Sequence, residues 1–275
     1  HELSIDVKKG EIVAVVGSSG SGKSLLAHAI MGILPENSKT KGSIKYYNDE
    51  LNEKYLRKVR GKDIAFIPQS VDFLDPLMKV GKQVVGINGN KERQKEVFKK
   101  YNLDDKVAEM YPFQLSGGMA RRVLIATAVM NEAKLIIADE PTPGLNLELA
   151  METLNNFREI ADSGCGVLLI THDVDLALNV ADRIEVFYSG TIVEIAQVED
   201  FIKGKDALRH PYSKAFIDAL PQNKFKELPG YQPYAGNLPK GCLFRDRCSL
   251  KTDECCMEIK MRKVRDGEVR CINAT

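Results

Sequence analysis

Residues 17–24 read Gly17-Ser18-Ser19-Gly20-Ser21-Gly22-Lys23-Ser24 and follow the apolar run at residues 12–16. A helix-like stretch begins directly after them, at residue 25. A strand, a glycine-rich loop and a helix are the context that the phosphate-binding pattern G-x-x-x-x-G-K-[ST] requires. Glycines let backbone N–H groups converge on a polyphosphate, and the helix start adds the positive end of its dipole. We therefore predict that Lys23 neutralises β- and γ-phosphates and that Ser24 binds Mg²⁺; the alternative is an ordinary turn.

Composition limits the class of protein. The 275 residues suffice for one large α/β domain with an appendage, or for two domains. The net charge of +1 gives no electrostatic reason to expect nucleic acid as a partner. No apolar run approaches the roughly 18–20 residues that cross a bilayer, so we expect that this chain does not itself span a membrane.

Strand-like and helix-like runs alternate along most of the chain, which predicts an α/β fold with a mostly parallel core sheet and a small antiparallel part. Residues 71–130 lack strand-like runs and predict a helical insertion. Proline, glycine and cysteine become frequent after about residue 205, which predicts domains at 1–205 and 206–275. Strands are expected at 3–7, 11–16, 42–47, 63–67, 135–138, 167–170, 183–187 and 191–195, and helices near 25–34, 52–60, 91–100, 118–130, 146–163 and 174–181.

Two adjacent carboxylates, Asp139 and Glu140, end the apolar run at residues 135–138. Burying such groups is costly unless they face something positive. At a strand end Asp139 suits Mg²⁺, directly or through water. Because successive strand residues point to opposite sides, Glu140 can face an attacking water and act as its general base. The alternative is a polar turn after a strand.

Three further elements complete a candidate site. Ser116, Gly117 and Gly118 open a helix and predict a second anion site, which is most simply used in trans on a nucleotide held by a partner subunit. A glycine-rich helix cap is the alternative. His172 follows a strand and is placed to sense a γ-phosphate, although lone histidines are more often structural. Gln69, at another strand end, is placed to contact the metal or the water.

These motifs, in this order, resemble those of the ATP-binding cassette (ABC) ATPases, a class of P-loop NTPases. The resemblance covers nearly all of the first 200 residues or so. In that family two nucleotide-binding domains sandwich two ATP molecules, each between one subunit's Walker A loop and the other's signature. The resemblance assigns the Walker A motif to 17–24, the Q-loop to Gln69, the signature to 115–119, the Walker B strand to 135–139, the catalytic carboxylate to Glu140 and the switch to His172.

The chain departs from the family pattern at two places. Ala120-Arg121-Arg122 replaces the usual sequence after the signature, where a Gln is typical. Asn146 stands where the D-loop usually has Asp, which puts communication between the two ATP sites in doubt but not ATP binding. The family's adenine-stacking aromatic residue normally lies upstream of residue 1, so it is not assigned.

The C-terminal extension narrows the resemblance. The stretch His210-Pro211-Tyr212-Ser213-Lys214-Ala215 is similar to a segment typical of ATPases in oligopeptide, dipeptide and nickel importers. In relatives the cysteines that follow can hold a [4Fe–4S] cluster. The ligands implied by the resemblance are Cys242, Cys248, Cys255 and Cys271, and Cys256 is a neighbour able to replace Cys255.

Five cysteines between residues 242 and 271 suggest a segment that packs poorly without a cross-link. Four thiolates suit an iron–sulfur cluster or zinc. The short C-x₂₋₄-C pairs usual for structural zinc are missing, which favours a cluster. Zinc and free or disulfide-linked thiols stay open as alternatives.

The resemblance implies an ATP-hydrolysing subunit that powers an importer of peptides, nickel or nickel chelates. Its expected cofactors are ATP, Mg²⁺ and a [4Fe–4S] cluster. Its expected partners are a second ABC ATPase chain, different from this one in many relatives, two transmembrane permease subunits and, indirectly, a solute-binding protein. We expect a peripheral position on the cytoplasmic face of the membrane. The alternatives are a soluble ABC ATPase outside transport and a metal-sensing regulatory ABC protein.

Overall fold

The computed structural model describes all but seven residues, namely 2–86, 89–220, 223, 225–234 and 236–275. The chain forms two compact units, and each is described by itself. The first unit comprises His1–Val7, Ile12–Lys23 and Thr171–Thr275. The second unit comprises Lys8–Glu11 and Ser24–Ile170.

Helices and strands alternate as the sequence predicts. The strands are β1 Ile12–Val16, β2 Lys45–Tyr46, β3 Asp49–Glu50, β4 Ile64–Ile67, β5 Leu135–Asp139, β6 Gly166–Thr171, β7 Arg183–Tyr188, β8 Thr191–Gln197, β9 Arg262–Val264 and β10 Gly267–Val269. The α-helices are α1 Lys23–Met31, α2 Glu53–Val59, α3 Val80–Val85, α4 Lys91–Lys100, α5 Gly117–Val129, α6 Leu147–Asp162, α7 Val174–Leu178, α8 Val198–Ile202 and α9 Pro211–Asp218.

In the second unit, β4, β5 and β6 form a parallel ladder in which Ile67 pairs with Ala138 and Asp139 with Ile170. The strands are buried; Ile136 of β5 and Leu168 of β6, for example, are almost completely inaccessible to solvent. Near-continuous apolar strands of this kind are typical of parallel sheets that are covered on both faces. The carboxyl end of β5 thereby carries the two predicted carboxylates to the edge of the ladder.

The helical insertion expected at residues 71–130 stays a prediction as a separate subdomain. Among the residues of this range that the structure describes there are three helices, α3, α4 and α5, and no strand, with short 3₁₀ turns before α3 and between α4 and α5. Gln94 of α4 is buried and donates its amide to the carbonyl of Gly81 in α3 at 2.8 Å. A Cβ at Gly81 would lie 2.8 Å from Ala108, so glycine lets the insertion pack closely.

In the first unit, β1 pairs with β7 in parallel, and β7 turns back into β8 through Ser189 and Gly190. Both turn residues have positive φ, as the tight hairpin turn requires. The C-terminal extension then adds two antiparallel strands, because β10 pairs with β8 and with β9. Strands β9 and β10 were not predicted, because they are three residues each and lack an apolar alternation. The boundary after residue 205 stays a prediction.

Two smaller expectations are corrected. Residues 3–7 alternate like a strand but form none. The predicted strand at 42–47 shrinks to β2, which pairs with β3 in a two-stranded antiparallel sheet. Among the residues that the structure describes, no helix has the length and apolar character needed to cross a membrane.

Candidate functional site

The glycine loop lies in the first unit, between the fully buried β1 and the first residue of α1. A Cβ on Gly17 would sit 2.3 Å from the carbonyl oxygen of Phe187, so only glycine fits where the loop leaves the strand. Gly22 has φ +101°, a backbone conformation that favours glycine. Main-chain geometry therefore explains the spacing of the glycines.

Lys23 is the most informative side chain of the loop. It is only 6% exposed, and its Nζ donates to the carbonyl oxygens of Gly17 at 2.8 Å and Ser18 at 3.1 Å. The loop thus curls around the ammonium group at the start of α1. A buried cation at the start of a helix is suited to a polyphosphate. Ser24 follows as the second residue of α1.

The second unit carries the two carboxylates. Asp139 is the last residue of β5 and is 1% exposed, and Glu140 is 6% exposed. Glu140 adopts φ +48°, which is uncommon for a residue with a side chain, and its N–H donates to Ile170 at 2.8 Å. Unusual backbone of this kind clusters at functional sites. The sequence carries no signal for this conformation.

Arg121, which the sequence analysis treated only as a departure from the family pattern, joins three of the predicted elements. Its guanidinium donates to the carbonyls of Pro68 at 2.8 Å and Gln69 at 2.5 Å. Burial lowers the pKa of Arg121, and the nearby charges of Asp139 and Glu140 oppose that shift. Gln69 and the two carboxylates are therefore brought together around one arginine.

The serine–glycine element is exposed on the second unit, at the start of α5. Ser116 caps the helix by accepting from the N–H of Met119 at 3.3 Å. Gly117 is exposed and Gly118 is half-buried. Ser116 is therefore an N-cap, and the second anion site at Ser116, Gly117 and Gly118 stays a prediction.

Asn146, the unusual D-loop residue, is the N-cap of α6. Its side-chain oxygen accepts from the N–H of Leu149 at 2.9 Å. Asn and Asp are about equally good N-caps, so the substitution preserves the local structure. His172, in the first unit, directly follows β6 and is exposed.

The cysteines of residues 242–271 share one region of the first unit and form no disulfide. Burial raises the pKa of Cys242 to about 11, and the charges of Cys271, Cys255 and Cys248 contribute in the same direction. These four sulfurs therefore lie near one another. Burial also raises the pKa of Cys248 and of Cys271. The backbone groups that oppose these shifts lie two residues after each sulfur, at Phe244, Leu250 and Asn273.

The structure distinguishes between the two adjacent cysteines. Cys255 is 5% exposed and accompanies the other three sulfurs, whereas Cys256 is exposed. Thr252 and Asn273 lie within 3.6 and 3.8 Å of the Cys255 sulfur. Within the described part of the chain, no group of three or more His, Cys, Asp or Glu side chains is arranged to hold a metal ion. The thiols are thus gathered without forming a closed metal site.

Comparison with known proteins gives the family. The model of the ABC transporter family matches residues 1–143, and that of the oligopeptide/dipeptide transporter C-terminal region matches residues 193–255. The chain is 33% identical to the dipeptide transport ATP-binding protein DppD of Haemophilus influenzae, over 98% of this chain and 88% of that protein. It is 34% identical to oligopeptide transport ATP-binding protein AppD of Bacillus subtilis, over 90% and 82% of the two chains.

Other relatives are longer. The chain spans about 45% of the oligopeptide transport ATP-binding protein OppD of Mycobacterium tuberculosis, to which it is 34% identical over 92% of its own length. Among solved structures, the dimeric bacterial ABC transporter cassette MJ0796 superimposes with a TM-score of 0.64 at 28% identity, covering 71% of this chain and 89% of that one. The predicted P-loop NTPase fold is thereby confirmed. The chain belongs to the ABC transporter ATPases, in the group that carries the oligopeptide/dipeptide transporter C-terminal region.

Proposed function

We propose that this chain is the ATP-hydrolysing subunit of an ABC importer for peptides. The observation that carries the proposal is the glycine loop curled around the buried ammonium of Lys23. Phosphate groups bind best where converging N–H groups and a cation are held in place before the ligand arrives. The names of the relatives favour a peptide cargo over nickel.

Each site residue has a role in the proposal. Mg²⁺ would be held by the Ser24 hydroxyl, the Asp139 carboxylate and Gln69, an oxygen donor set that suits this hard cation. Held by these residues, the cation would supply positive charge to the β- and γ-phosphates. The loop residues Gly17, Ser18, Ser19, Gly20, Ser21, Gly22 and Lys23 would bind the phosphates.

Glu140 acts as the general base in this proposal. Its carboxylate takes a proton from the attacking water, while His172 contacts the γ-phosphate as a polar sensor. Arg121, which holds the carbonyl of Gln69, keeps the Q-loop next to both carboxylates. This contact supports a role for Gln69 in responding to the metal and to the helical insertion that follows it.

Phosphate release by the purified chain tests the role of Glu140. We expect Glu140→Gln to bind ATP normally but to turn it over at least about a hundredfold more slowly, because general bases contribute 10²–10⁴ to rates. Glu132→Gln, at an exposed glutamate, is the matched control. Turnover near the wild-type rate in Glu140→Gln contradicts the assignment.

We also propose that ATP is sandwiched between this chain and a second ABC ATPase, with Ser116, Gly117 and Gly118 covering the partner's γ-phosphate. Two transmembrane permeases and, indirectly, a solute-binding protein complete the importer, and this chain lies on the cytoplasmic face of the membrane. The dimeric cassette MJ0796 supports this arrangement by similarity. If ATP hydrolysis in vesicles holding the permeases does not respond to peptide, the coupling proposal is wrong.

Finally, we propose that Cys242, Cys248, Cys255 and Cys271 hold a [4Fe–4S] cluster. Two observations support the proposal. The thiols are near enough to affect one another's pKa values, and backbone groups two residues after Cys242, Cys248 and Cys271 hydrogen-bond to those sulfurs. Anaerobically purified protein is expected to contain roughly four iron atoms per chain. Cys255→Ser should lose the iron and the exposed Cys256→Ser should keep it. Stoichiometric zinc in iron-free protein, or iron retained by both variants, contradicts the assignment.

A further inference from the structure

Ser18, the second residue of the phosphate loop, is contacted by two side chains of the C-terminal extension. The hydroxyl of Tyr212 lies 3.4 Å from the Ser18 nitrogen and 3.3 Å from its Oγ. The amide of Gln232 donates to the same Oγ. All three residues belong to the first unit. The predicted phosphate motif explains neither contact.

We propose that Tyr212 and Gln232 are positioning residues that hold the phosphate loop ready for nucleotide. The inference goes beyond the proposed function and rests on it only in that residues 17–24 bind ATP. We call the pair and Ser18 the loop clamp. A loop that is already ordered loses less conformational entropy when the ligand binds, so the clamp increases ATP affinity.

Tyr212 is itself held firmly, by the segment that precedes it. Glu194, fully buried, accepts the N–H groups of Arg209 and His210 at 2.8 Å each. His210 then caps α9, because its Nδ1 accepts the N–H of Tyr212 at 3.0 Å. Pro211 occupies the first helical position, where its missing N–H costs nothing. The His-Pro-Tyr sequence thus fixes the start of the helix that carries Tyr212.

The ring of Tyr212 packs within an aromatic cluster. Its centroid lies 4.4 Å from that of Tyr188, 5.4 Å from that of Phe244 and 5.7 Å from that of Phe216. Tyr212 is 2% exposed. Since every direction except the hydroxyl is filled by packing, the hydroxyl is directed at Ser18 with little freedom.

Gln232 is held by a separate set of contacts. Ser189, in the turn between β7 and β8, lies 3.5 Å from its Oε1, which directs the amide Nε2 toward Ser18. Arg247 donates to the carbonyls of Pro229 at 2.7 Å and Leu228 at 3.3 Å, and so fixes the segment that carries Gln232. Arg247 precedes Cys248, so the cysteine region supports the clamp.

The experiment measures ATP affinity and steady-state hydrolysis of the intact chain. Tyr212→Phe removes one hydroxyl and keeps the ring, and Gln232→Met removes the donor at similar length. We expect the dissociation constant and KM for ATP to rise about three- to tenfold in each variant, the effect of one hydrogen bond, with kcat changed less than about twofold. Tyr231→Phe is the matched control, because Tyr231 is 95% exposed and its side chain has no role in the clamp.

A double-mutant cycle separates positioning from general packing. In a Ser18→Ala background, the Tyr212→Phe effect should shrink and the Gln232→Met effect should vanish, because their shared partner atom is gone. Wild-type affinity in both single variants, an equal loss in Tyr231→Phe, or additive effects with Ser18→Ala each overturn the inference. Thermal midpoints identify any variant that merely unfolds. If wild-type protein binds no ATP, the proposed function itself fails.

Discussion

The phosphate loop and the cysteine region are both irregular, yet they are built in different ways. Residues 17–23 form one continuous curl whose shape follows from main-chain geometry and from the buried β1. Cys242, Cys248, Cys255 and Cys271 are gathered from separate turns by side-chain packing. A site made by contiguous backbone is specified locally, whereas a site made by dispersed side chains depends on the packing around it. The two regions should therefore respond differently to the same kind of substitution.

Gly17→Ala should have the largest effect. The added methyl group would lie 2.3 Å from the carbonyl oxygen of Phe187, so the loop must move away from β7. We expect kcat/KM for ATP hydrolysis to fall about a hundredfold or more, as displacements near 1 Å do. Gly20→Ala, where the new methyl group meets nothing within 4 Å, carries only the strain of its φ of +75° and should lose less. Equal losses in the two variants would show that the close approach at Gly17 is unimportant.

Gly241→Ala makes the corresponding change beside Cys242. Its φ is +77°, and a Cβ would lie 2.3 Å from the carbonyl oxygen of Cys255. We expect the free energy of unfolding to fall by at least about 2 kcal/mol, with loss of any bound iron. ATP affinity should fall by no more than about tenfold, the effect of losing the loop clamp. Gly230→Ala, with only an Arg247 side-chain atom at 3.6 Å, is the control. Complete loss of ATP binding in Gly241→Ala would show that the phosphate loop depends on the cysteine region and is not specified locally.

His210 caps α9, the helix that carries Tyr212 of the loop clamp, and its titration gives a pH test. Burial lowers its pKa from 6.5 to about 3, so the folded protein keeps it neutral while the unfolded chain binds a proton below pH 6.5. The free energy of unfolding should therefore fall by about 1.4 kcal/mol per pH unit between pH 6.5 and 3 from this residue alone. His210→Asn keeps a capping side chain and does not titrate, so denaturant unfolding at pH 7 and 5 should show a smaller loss. An unchanged loss would mean that His210 is already protonated when folded.

Asn146→Asp should have the smallest effect. Asp replaces Asn as the N-cap of α6 with similar strength, so the free energy of unfolding should change by less than about 0.5 kcal/mol. ATP affinity should stay the same, because Asn146 belongs neither to the phosphate loop nor to the cysteine region. A larger loss of stability, measured by denaturant unfolding, would mean that the amide nitrogen of Asn146 has a partner that Asp cannot supply.

The same contrast between local backbone and long-range packing separates the features that the sequence predicted from those that it did not. The strand–loop–helix context of Gly17 and Lys23 was predictable, because backbone demands leave a fixed spacing of glycines. The positive φ of Glu140 was not, since nothing in a strand ending in two carboxylates requires it. The contacts of Arg121 and Tyr212 were also missed, because each joins residues more than fifty positions apart. Long-range partners of this kind need the fold before they become visible.

The central claim is that residues 17–24 bind the phosphates of ATP through a preformed curl around Lys23. Equilibrium dialysis of labelled ATP against wild-type protein, Lys23→Ala and the exposed control Lys134→Ala tests it most directly. We predict saturable binding to wild type and Lys134→Ala, with affinity weakened at least about tenfold in Lys23→Ala, the effect expected for a lost charge-assisted contact. Equal ATP affinity in wild type and Lys23→Ala would contradict the claim.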